Sequence, residues 1–98
     1  MLFTNKELFI AINSIDTMGQ NEEGNWIPRY FENSKLADVA SASKKITSLA
    51  DEAGVIADGE YDIAFTTPEK SLILACLKRK WARLDAEFVI SLEKKLNE

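Results

Sequence analysis

The stretch from Thr67 to Leu96 constrains the fold most. It contains no Gly, and its one Pro, Pro68, stands at the start, where a fixed φ suits a helix and the missing N–H costs nothing. Phe65-Thr66-Thr67-Pro68-Glu69 reads as a helix start, with a Thr cap, Pro and Glu in the first turn, then an apolar run. At helical spacing, Ile73, Leu74, Leu77, Trp81, Leu84, Phe88 and Leu92 share one broad stripe. The spacing predicts a single helix over 67–96, about 45 Å long.

Two shorter helices precede it. Phe3-Thr4-Asn5-Lys6-Glu7-Leu8 combines a capping box with a hydrophobic staple and opens a predicted helix over 5–18. Leu8, Ala11, Ile12, Ile15 and Met18 line its inner face, and Gly19 suits the residue after it. Phe9 and Ile10 fall outside that stripe. They fit a helix wrapped on more than one side, the preferred reading, or a contact with another chain. Asn33 or Ser34 can cap a helix over 34–53 that ends at Gly54, with Leu36, Val39, Ala40, Ser43, Ile46, Ala50 and Ala53 inward. The expected fold is one all-α domain of three helices and two irregular connections. Within 55–65, Tyr61, Ile63 and Phe65 alternate after an Asp58-Gly59 turn. That pattern allows a short strand or hairpin, but an extended linker packing three side chains is preferred. Phe-Thr-x-x-Glu occurs twice, at 3–7 and 65–69. Five positions are thin support for a repeat, so two independent capping boxes are expected.

Composition narrows the chemistry. Ninety-eight residues suit one domain with one modest core. No apolar run reaches membrane-spanning length, and no signal peptide is apparent. With no His and one Cys, Cys76, the chain lacks the usual neutral-pH base, the usual zinc ligands and any internal disulfide. The expectation is a non-enzyme without metal or cofactor, in the cytoplasm, where a lone thiol stays reduced. Acids dominate 51–69, where six stand with no Lys or Arg, whereas 70–98 holds seven bases and four acids. The EF-hand spacing is absent from the acidic stretch, so calcium is not expected.

Three surfaces are candidates for binding. Trp26, Arg29, Tyr30 and Phe31 cluster in a connection of about fourteen residues, long for a plain link. They are expected to plug the core or to bind a partner, for which Trp, Tyr and Arg are the favoured types. Opposite the main stripe of the long helix, Leu72, Cys76 and Ile90 lie among Arg79 and Arg83, which predicts a homo-oligomer, a dimer, through that face. Lys78, Arg79, Lys80 and Arg83 around Trp81 suggest nucleic acid, weakly in a chain of net charge −4. The expected function is a protein–protein interaction module. It would serve as an adaptor or inhibitor of a larger protein, of the kind phages and mobile elements encode. The alternative is a nucleic-acid-associated regulator using the basic face of the last helix.

Overall fold

The computed structural model describes residues 1–16, 18–20, 22–28, 35–78 and 81–98. Strand β1 (Leu2–Thr4) leads into helix α1 (Asn5–Asp16). Strands β2 (Met18–Gln20) and β3 (Trp26–Pro28) form a hairpin before helix α2 (Leu36–Thr47). Strand β4 (Glu60–Asp62), helix α3 (Thr67–Cys76), a 3₁₀ turn at Arg83–Asp85 and helix α4 (Ala86–Leu96) complete the chain. β1 pairs antiparallel with β4, Phe3 opposite Tyr61. The described residues therefore form an α+β fold of four helices and two small two-stranded sheets, not three helices alone.

The largest correction concerns the 67–96 segment, which is two helices rather than one. α3 ends at Cys76, and α4 starts at Ala86. No Gly or Pro forces the break. Burial does: Leu72, Ile73, Cys76 and Leu77 on α3 and its cap, and Val89, Leu92 and Leu96 on α4, all enter the same core. A straight rod of about 45 Å exceeds the longest dimension of the protein, 41 Å. Only by folding back can it put both stripes inside. The Trp81 ring N–H donates to the Leu77 carbonyl at 3.1 Å, taking up one acceptor freed at the α3 terminus.

The other boundaries shift for similar reasons. α1 stops at Asp16 because Met18 and Gly19 are paired in the hairpin, opposite Pro28 and Ile27. α2 stops at Thr47, and Ser48 to Val55 turns back instead. Asp51 organises that turn, its Oδ1 accepting from the Ala53 and Val55 N–H groups at 2.9 Å each. Gly54 completes it at φ +78, a conformation side chains other than Gly's resist. The caps expected of Asn33 and Ser34 lie outside the described residues. Lys35 precedes α2 and makes no side-chain cap.

Both capping boxes form. Thr4 Oγ1 accepts from Glu7 N at 3.2 Å, and Glu7 Oε1 accepts from Thr4 N at 2.8 Å. Thr66 and Glu69 repeat this at 3.3 and 2.7 Å. Thr66→Ala should cost about 1 kcal/mol in a urea melt, and Thr4→Ala a similar amount. An unchanged midpoint in both would contradict the cap assignment.

The two boxes are not independent, which reverses the sequence-based expectation. Each follows a buried Phe at the same offset, Phe3 or Phe65, and their rings meet edge to face at 5.4 Å. The helices that follow bury matching positions: Ile10 and Leu72, Ala11 and Ile73, Ser14 and Cys76, Ile15 and Leu77. The second helices match too. Val39-x-Ser41-x-x-Lys44-Lys45-Ile46 on α2 parallels Val89-x-Ser91-x-x-Lys94-Lys95-Leu96 on α4.

The contacts are exchanged between halves. Glu7 of the first half accepts from Ser91 and Lys95 of the second, both at 2.7 Å. Glu69 of the second half accepts from Ser41 and from Lys45, the latter at 2.5 Å. α1 packs on α4, and α2 on α3. The chain is thus an internal repeat of two helices opened by a Phe-Thr-x-x-Glu cap, its halves contacting as in a two-fold dimer.

Candidate functional site

Two features of this frame have the chemical groups for a site. The first is the pair of buried carboxylates. Burial alone raises the Glu69 pKa, but the bonds from Lys45, Ser41 and Thr66 outweigh it and hold the group at about 2. Glu7 is likewise held below its usual value: burial opposes, and Lys95, Thr4 and Ser91 prevail. Ser, Lys and Glu together resemble a nucleophile with its base. Here, however, each Lys is an ammonium spent on the carboxylate, and each Ser hydroxyl also donates to that carboxylate. No group in either set is left to activate a nucleophile. The arrangement recurs at equivalent positions of both halves, as framework does.

The second feature is a groove of about 660 Å³ beside α1. One wall is the outward face of α1, where Asn5, Phe9, Ile12 and Asp16 follow at helical spacing. The other wall is the end of α2 and the turn after it, contributing Ile46, Ala50, Val55 and Ile56. The connector needs Asp51 and Gly54 to turn back over α1, and this turn creates the cleft. Phe9 and Val55 are 62% and 58% exposed, unusual for side chains of their size beside a cavity.

The groove is acidic at its edges. Asp16, Asp51, Glu52 and Asp58 line it, against one cation, Lys6. Asp58 accepts from Asn5 Nδ2 at 2.9 Å, and Asp51 caps its own turn. Asp16 and Glu52 have no hydrogen-bond or ion partner among the described residues. Lys6 does not neutralise them closely, since its Nζ sits over the Phe88 ring at 4.9 Å. The carboxylates do not converge: among the described residues no three potential ligands are placed to hold a metal ion.

The residues singled out from sequence are scattered. Trp26 lies on β3 opposite Gln20 and is 64% exposed, so it is not a core plug. Arg29, Tyr30 and Phe31 lie outside the described residues. The oligomer face on a single long helix is not present. Leu72 and Cys76 are buried in the core, Ile90 is exposed on α4, Arg83 is exposed in the 3₁₀ turn, and Arg79 lies outside the described residues. Cys76 and Leu72 face inward because the folded-back α4 covers the side that a straight helix would have bared. Lys78 and Arg83 likewise flank the break instead of sharing a helix face.

Phe9, Val55 and the carboxylates around them were not recognised as one site. In the sequence Phe9 is an apolar residue off the α1 stripe, and 51–69 an acidic run. Nothing in the sequence places them side by side. No protein-family model, curated protein or solved structure matches the chain. Among the described residues, no helix is long and apolar enough to cross a membrane.

Proposed function

We propose that this chain is a non-catalytic protein-binding module, an adaptor or inhibitor, that docks its partner in the groove between α1 and the 48–58 connector. One observation carries this: Phe9 is held 62% exposed on the groove wall although the fold does not need it. The second half supplies the comparison, because its equivalent position, two residues before the buried Ile73 as Phe9 is before the buried Ala11, carries exposed Ser71. The same backbone is therefore built with a hydroxymethyl side chain where the first half keeps a phenyl ring. Large exposed apolar groups lining a cleft are what partner recognition requires. A reducing compartment, the cytoplasm, suits a chain whose one thiol is buried and unoxidised.

Phe9→Ser tests the assignment, since it makes the first half resemble the second. Its melting midpoint should move by no more than about 0.5 kcal/mol of stability. A photo-reactive residue at position 9 should cross-link, in cells that express the chain, to a protein that the immobilised wild type retains and the Phe9→Ser variant loses. Retention by both forms would place the binding surface elsewhere.

A further inference from the structure

The groove also has a charge pattern that specifies what kind of segment it takes. We infer that its occupant is a basic, apolar segment of the partner, one that sets an aliphatic or aromatic side chain against Phe9 and Val55 and Lys or Arg against the rim. This rests on the groove being the binding site.

Three observations converge on it. The floor is apolar, with Ile12, Ile46 and Ile56 behind the exposed Phe9 and Val55. Of the charged groups lining it, four are carboxylates and one is a lysine already placed over an aromatic ring. Finally, the duplication provides an internal reference. Where α1 has Phe9, α3 has Ser71, and the residue matching Asp16 is Lys78, just beyond the end of α3, so neither the ring nor the acid recurs in the second half. Apolar and acidic groups thus stand together along one groove beside the first half. An acidic or neutral segment would leave Asp16 and Glu52 facing like charge or nothing. A basic one neutralises them while its hydrocarbon fills the cleft. The size of the groove suits one or two anchor side chains with a short flanking stretch. The carboxylates are spread along the rim, so they fit charges spaced along a peptide better than a single cation.

The test uses the full chain and a displayed library of random peptides about twelve residues long, in moderate salt, where exposed charge pairs are still felt. Enriched peptides should carry Lys or Arg on both sides of an aromatic or large aliphatic residue. Their affinity should fall about tenfold or more on Phe9→Ser, as hot-spot removal does. It should fall roughly threefold on the double change Asp16→Asn, Glu52→Gln, with that second loss fading in high salt. Enriched peptides that are neutral or acidic, yet still sensitive to Phe9→Ser, would overturn the basic class and leave the groove standing. Peptides indifferent to Phe9→Ser would overturn both. Sedimentation of the chain alone provides the remaining outcome. Self-association that disappears in Phe9→Ser would make a second copy the occupant and overturn the inference.

Discussion

Glu69→Ala should destabilise the protein by about 3–5 kcal/mol, the usual consequence of removing one partner of a buried ion pair. The carboxylate is fully buried and accepts from Lys45, Ser41 and the Thr66 N–H. Its removal leaves an ammonium, a hydroxyl and a backbone donor short of acceptors, at the seam between α2 and α3. Replacing both charges by apolar groups, as in Glu69→Leu with Lys45→Met, should recover much of the loss, because no orphan charge remains. Glu7→Ala should act alike through Lys95, Ser91 and Thr4. Urea melts of the three variants decide the matter. A loss under about 1 kcal/mol for both single alanine variants would mean that the seams are held by apolar packing alone.

The same groups set the acid limit of the fold. A carboxyl whose pKa is lowered on folding stabilises the native state above its unfolded value, since the unfolded chain takes up the proton first. That stabilisation is lost as pH falls from 4.5, the unfolded value, towards about 2 for Glu69, with Glu7 adding in the same direction. Glu69→Gln should therefore be less stable than the wild type at neutral pH, yet flatter in its dependence across that range. Parallel stability curves for the two proteins would remove Glu69 from the acid response.

Phe3→Ala is expected to be comparably severe, about 3–5 kcal/mol, as for other buried phenylalanines. Phe3 is 1% exposed, stacks edge to face with Phe65 and lies 5.8 Å from the Lys95 ammonium. It sits where the halves meet, beneath the β1–β4 pairing, so the cavity would open at the seam and not in one half. Phe9→Ser, six residues further on in α1, should be nearly silent. If the two substitutions melted alike, Phe9 would belong to the core with Phe3 and not to the groove wall.

The starts of α1 and α3 were legible in the sequence. Thr4 with Glu7 and Thr66 with Glu69 are local signals, satisfied within four residues, and the structure realises each one. So was most of the core, because Leu8, Ala11, Ile15, Ile46, Ile73 and Leu92 follow from helical spacing alone. The duplication was half legible. Phe-Thr-x-x-Glu stood out, but the second pair of matching segments is spaced differently, because a hairpin occupies the first half and a short turn the second. A search at one fixed offset misses it.

What the sequence by itself determined is where α1 and α3 begin and part of the buried set, since these depend on bonds and periodicities within a few residues; it put Leu72 and Cys76 outside and Leu36 and Leu84 inside, and the structure reverses all four. Only the tertiary structure decided where the last helix breaks, that β1 finds β4, and that Glu7 and Glu69 are buried beside Lys95 and Lys45. No Gly or Pro stands between 77 and 85, yet α3 ends at Cys76 and α4 starts at Ala86, because both helices must reach one small core. The ion pairs join residues 88 and 24 positions apart, and the candidate groove joins Phe9 to Val55. Contacts of that span carry no local signal, because their free energy appears only once the intervening chain has folded back on itself.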